Sequence, residues 1–130
     1  MRRLTLALAA VVVLAGCNGG TVDRHALTND AATLDSIACE GTLVADGVAR
    51  DRTTVFFARE QAEELRLQSS NLADALAKRP TSPGLEAAVR AKARDAARLA
   101  AILQRLHDHP DDRTVGADVA RMLTRFGGCP

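Results

Sequence analysis

Apolar residues recur at alternating intervals of three and four along most of this chain. The first run is Leu27, Ala31, Leu34, Ile37, Gly41, Val44 and Val48, the spacing that lines one face of an α-helix. Thr28 is the expected cap of that helix. Gly41 and Gly47 weaken its interior, which predicts a break near Gly47. A second run follows the polar stretch RDRTT, where Asp51 and Thr53 offer caps: Val55, Ala58, Ala62, Leu65, Ser69, Leu72 and Leu76. It is the clearest periodicity in the sequence, about three heptads long. Pro80 closes it, and Ser82 with Pro83 gives a capping hydroxyl followed by proline at a first helical position. The third helix carries Leu85, Val89, Ala96, Leu99, Leu103 and Leu106 on one face and ends at HDHP. In the fourth, begun by Asp111 or Asp112, Val115, Val119, Met122 and Phe126 point inward as far as Gly127-Gly128.

Four amphipathic segments joined by short turns predict an all-α fold, a small antiparallel up-down bundle whose last helix is short. The bundle is expected over residues 28–130. Asp-Arg-Thr occurs at both 51–53 and 112–114, but the flanking residues differ, so the stretches read as a reused cap and not an internal repeat.

Ahead of the bundle the pattern changes. Arg2 and Arg3 precede Leu4–Leu14, an apolar segment interrupted only by Thr5. It is too short for a membrane span of about 20 residues but has the form of a signal-peptide core. It closes on Leu14-Ala15-Gly16-Cys17, which resembles the lipobox of bacterial lipoproteins. The resemblance covers residues 1–17. It implies that residues 1–16 are a signal peptide cut before Cys17, that the Cys17 thiol carries diacylglycerol, and that the new amino terminus is acylated, with palmitate as the usual chain. Two or three acyl chains, at about 0.8 kcal/mol per buried methylene, hold a protein firmly on a membrane. Residues 17–27, including NGGTVDRHA, then form a lipidated flexible tether. By the sorting rule of such lipoproteins, Asn18 implies the outer membrane facing the periplasm in a Gram-negative envelope. In a Gram-positive one the protein would face outward from the plasma membrane.

Composition narrows the picture further. Cleavage of 16 residues from 130 leaves 114, enough for one modest core. Loss of Arg2 and Arg3 takes Lys+Arg from 17 to 15 against 16 acids, so no overall field points to nucleic acid. With three phenylalanines as the only aromatics, the core is built from small and medium aliphatic side chains, which bury little area each. Of the cysteines, Cys17 is committed to lipid. Cys39 and Cys129 remain as an even pair in a compartment that permits disulfides. An intramolecular bridge is expected, closing a loop of about 90 residues and worth 4–5 kcal/mol in the chain-entropy account; free thiols and an intermolecular link are the alternatives.

Few residues suggest chemistry. His107, His109 and Asp111 lie within HDHPDD, and these residue types bind transition metals. On a helix the two histidines would point about 200° apart. The simpler reading is that His107 complements the carbonyl end of the third helix. No Glu-x-x-His pair of a di-metal bundle and no Cys-x-x-Cys-His haem motif is present, so neither cofactor nor enzyme activity is expected. Arg90, Arg94, Arg98 and Arg105 fall within an arc of about 80°, a basic stripe partly neutralised by Glu86 and Asp108. Glu60, Glu63 and Glu64 lie on the outer face of the second helix. Phe56 and Phe57, about 100° apart, cannot both sit on the seam: one packs in the bundle and the other, taken as Phe57, lies at its edge as a contact for a partner. The expectation is a lipid-anchored envelope protein with a non-catalytic binding or scaffolding bundle. Its partner would be a protein, a wall polymer or another copy. A metal-binding turn at residues 107–112 is the alternative.

Overall fold

The computed structural model describes residues 20–127 and 129. It contains four helices: α1 (Arg24–Ala49), α2 (Val55–Lys78), α3 (Glu86–Asp108) and α4 (Arg113–Thr124). They form an all-α up-down bundle with a short last helix. The register is fixed by cross-helix contacts. Ser69 in α2 meets Ala96 in α3, the carbonyl of Arg59 meets His107, and Gly116 of α4 lies against Ala45 and Ala49 near the end of α1. Each neighbouring pair is therefore antiparallel.

The predicted stripes form the core. Leu34, Ile37, Val44 and Val48 of α1, Ala58, Ala62 and Leu65 of α2, Leu99, Leu103 and Leu106 of α3, and Val115 and Val119 of α4 share one buried cluster. In α4 the buried residues are Val115, Gly116, Val119 and Leu123. Met122 and Phe126, expected inward, are only partly buried. The helix ends at Thr124, so Phe126 falls beyond the regular spacing and Leu123 takes the inner position. Ser69, the one polar residue on the second stripe, is fully buried and donates its hydroxyl to the Ala96 carbonyl at 2.7 Å. That bond satisfies a group whose desolvation would otherwise cost about 1–3 kcal/mol.

The helix ends differ from the sequence expectations for local reasons. The first helix begins at Arg24 and not at Thr28. Asp23 caps it by accepting from the Ala26 amide at 2.8 Å, while the Thr28 hydroxyl donates back to Arg24. No break occurs at Gly47. The glycines are sites of close approach: Leu103 and Leu123 each come within 2.9 Å of where a Gly41 Cβ would stand, so tertiary packing outweighs weak helix propensity. The helix stops at Ala49, and Asp51 two residues on, with φ +57°, lets the Arg52 amide return to the Gly47 carbonyl at 2.8 Å. Asp51 thus ends α1 and does not start α2, which Thr54 caps through the Phe57 amide. Ser82 and Pro83 do not open α3 either. Ser82, Pro83, Gly84 and Leu85 form a turn in which the Leu85 amide donates to the Ser82 carbonyl at 3.1 Å and Gly84 has φ +86°. Proline second and glycine third are the residues a type II turn requires. The helix then starts at Glu86 with no side-chain cap.

Candidate functional site

The pole of the bundle nearest the lipid-attachment cysteine is built on Val22. This residue is completely buried and sits beside Thr81 in an isolated parallel bridge. Its amide donates to the Pro80 carbonyl at 2.7 Å, and its carbonyl accepts from the Ser82 amide at 3.0 Å. With Leu76 and Val89 it forms a second, smaller apolar cluster, joined by Leu27, Leu72 and Leu85. Arg79 reinforces the junction: its Nε donates to the Gly20 carbonyl at 3.0 Å, and its guanidinium lies 3.6 Å from Asp30, both side chains being mostly buried. Asp30 Oδ2 has no hydrogen-bond partner, so the arginine is the charge that compensates it. The ordered domain thus begins earlier than the expected boundary at residue 28. Cys17 lies five residues before Val22, at most about 18 Å of extended chain. Sequence reasoning passed over Val22, Asp30 and Arg79; the only signal was a lone valine inside a polar stretch.

The four arginines of α3 do not act as one stripe. Arg105 pairs with Asp118 of α4 at 3.3 Å. Arg98 lies over the Phe126 ring at 5.9 Å, close enough for a cation–π contact. Arg90 and Arg94 are exposed, with no ion-pair partner among the described residues. Asp108, expected to offset Arg105, instead accepts from Gln104.

The HDHPDD segment is a helix-to-helix turn. His107 stands in the last turn of α3, at its carbonyl end as expected, and also reaches across to α2. Its Nδ1 stands 3.3 Å from the Arg59 carbonyl and 3.9 Å from Glu63 of α2. The Glu63 carboxylate is held below the usual glutamate range chiefly by two 2.7 Å hydrogen bonds from the Arg66 guanidinium, with His107 adding a weaker attraction. His109 closes α3, and its carbonyl accepts from the Asp112 amide. Asp112 caps α4 through the Thr114 and Val115 amides at 2.9 and 3.1 Å, and Asp111 is exposed. Among the described residues, no three His, Cys, Asp or Glu side chains are grouped as metal ligands.

At the opposite pole, apolar side chains face solvent. Phe56 is 75% exposed, Leu43 65%, Phe57 49% and Val55 44%. Neither phenylalanine packs in the bundle, as one of them was expected to. Thr54 starts the helix so that Ala58, one step on, takes the first core position. Phe57 instead flanks a shallow groove between α1 and α2, lined also by Glu40, Leu43, Val44, Gly47, Thr53 and Gln61.

A disulfide joins Cys39 of α1 to Cys129 beyond α4, with Cα atoms 4.9 Å apart. This is the pairing that the cysteine count anticipates. Because α4 has only 12 residues, Gly127 and Cys129 come to lie beside Asp35 and Cys39 in the middle of α1.

Residues 1–18, whose one cysteine is Cys17, match the family model of the prokaryotic membrane lipoprotein lipid attachment site, which supports the signal peptide and lipobox. No curated protein and no solved structure matches the chain. Among the described residues no helix is long and apolar enough to cross a membrane. The attachment site points to a membrane-anchored extracytoplasmic protein.

Proposed function

We propose that this protein is an envelope adaptor without chemistry of its own, one that holds a polypeptide partner close to the membrane carrying its acyl chains. A single observation carries the reading: the two poles of the bundle differ. The pole within reach of Cys17 is tied down by buried Val22 and by Arg79. The far pole leaves Leu43, Val55, Phe56 and Phe57 to solvent. Large apolar side chains gathered at one end of a small domain mark a contact surface. In the Gram-negative case Asn18 supports the outer membrane, with the bundle directed into the periplasm.

Two measurements test this. Metabolic labelling with palmitate should mark the native chain and not Cys17→Ser, which should be released from membranes. A photo-crosslinking amino acid at Phe56 in the lipidated protein, in its own membranes, should give a discrete adduct. The same residue at Ala88, near the anchor pole, should give none of that size. Absence of a discrete adduct from every surface position would sink the adaptor reading.

A further inference from the structure

The groove between α1 and α2 has a chemistry that narrows the partner, granted the adaptor reading. Its walls are Leu43 and Phe57, with Val44 and Gly47 between them, enclosing about 390 Å³. Glu40 lines it, and two further carboxylates stand on the helix face beside it. Glu40 stands one turn before Leu43 on α1, and Glu60 and Glu64 stand three and seven residues after Phe57 on the same exposed side of α2. None of the three has a cation within ion-pair distance among the described residues; Glu64 only accepts from Gln68. Arg52, the one cation lining the groove, is turned to Asp46 at 3.7 Å. We infer that this groove is the docking site for an amphipathic segment of another protein, with apolar residues at helical spacing flanked by lysine or arginine.

A membrane surface fits less well. Unpaired carboxylates repel anionic lipid headgroups, so the acidic rim disfavours a membrane surface. A second copy would have to bring cations of its own, and Arg59, exposed beside Glu60, is as free of an ion-pair partner among the described residues as Arg90 and Arg94, so that occupant is an outcome of the test. A helix laid in an apolar groove, with its charged flanks meeting the rim, is a recurrent way to recognise a peptide. The rim charges set partner choice and encounter rate more than total affinity.

The test uses the full lipidated chain in its native membranes, with the photo-crosslinking residue at Leu43 or Gln61 and the joined peptide sequenced by mass spectrometry. The expected peptide comes from a different protein and carries Lys or Arg beside apolar residues spaced by three and four. The triple variant Glu40→Gln, Glu60→Gln, Glu64→Gln alters only exposed side chains and should keep its melting temperature. Its adduct should fall about tenfold, as three rim pairs of two- to threefold each would give. A peptide from this same chain, a lipid adduct, or a partner peptide without basic residues would overturn the inference, as would full yield from the triple variant. Adducts from Arg94 or Arg98 positions but none from Leu43 or Gln61 would overturn it while leaving the adaptor reading in place. No adduct from any position would remove both.

Discussion

Gly116 of α4 lies so close to the Ala45 carbonyl of α1 that a Cβ on Gly116 would stand 2.8 Å from that oxygen. The short helix is seated by this backbone approach as much as by its apolar side chains. Gly116→Ala gains up to about 1 kcal/mol of helix propensity but must push two backbones apart, at about 1–3 kcal/mol for overpacking. The Ala49 amide, also 2.8 Å away, is backbone too and cannot swing aside. A net loss of melting temperature is expected. Gly47→Ala, whose Cβ would meet only Thr53 at 3.4 Å, should raise it or leave it unchanged. Thermal melts of the chain from residue 18 onward with the reverse order would mean that α4 does not pack as described.

The Cys39–Cys129 bridge closes a separation of 90 residues. Loop-closure entropy for that length gives a stabilisation of about 4–5 kcal/mol. Reduction should lower the melting temperature by roughly ten degrees or more. Helical circular dichroism should survive reduction in the cold, because the four buried faces remain. Tryptic mapping of unreduced protein should recover the two cysteine peptides joined, and a disulfide-linked dimer would contradict the placement of Cys129 beside α1.

Among the described residues Arg79 is the only cation within ion-pair distance of the Asp30 carboxylate, and it also holds the Gly20 carbonyl. Its removal leaves a mostly buried acid without compensation, so Arg79→Ala should cost about 3 kcal/mol. Arg50→Ala breaks a pair whose side chains are 61% and 39% exposed and should cost under about 0.5 kcal/mol. Hydrogen exchange should also rise at the Val22 amide in the first variant. Unchanged protection there would show that the junction stands without the arginine.

Asp51 occupies the left-handed region at φ +57°, where an L side chain is strained and glycine is not. Asp51→Gly should therefore be neutral to stabilising by about 1 kcal/mol, after the greater chain entropy of glycine in the unfolded state. Asp51→Val should destabilise by about 1–2 kcal/mol. Its ion pair with Arg113 is long and exposed at 3.9 Å, so little is lost with the carboxylate. Equal melts for the two variants would place the end of α1 elsewhere.

The Glu63–Arg66 pair sets an acid limb of stability. The folded Glu63 carboxyl titrates below its ordinary value of 4.5 because Arg66 hydrogen-bonds its charged form. Its contribution is therefore full above that value and is lost as pH falls through the lower folded one. The melting difference between the native chain and Glu63→Gln should be largest near neutrality, shrink below pH 4.5 and weaken in high salt. The pair is near the surface, so the slope will be shallow. A difference independent of pH would remove the pair from the account.

The four helices and their inner faces were legible in the sequence because burial imposes a period on apolar residues, and Leu34, Leu65, Leu99 and Val119 all keep it. The lipid anchor was legible because charge, apolar run, small residues and Cys17 must be contiguous for a peptidase to read them. The helix ends were misjudged where two local solutions compete: Asp51 can begin a helix or end one, and Ser82-Pro83 can cap a helix or enter a turn. Packing chose between them. The surfaces were least legible. Four arginines at helical spacing looked equivalent until Asp118 and Phe126 arrived beside two of them from α4. Leu43 drew no notice on its own helix, lying off the buried stripe. Only the approach of α2 set it across from Phe57 with Glu40 beside it. A sequence determines which face of each helix avoids water, because that is a property of one helix. Which exposed side chains become neighbours depends on the rotation and register of two helices, and only the packed bundle sets those.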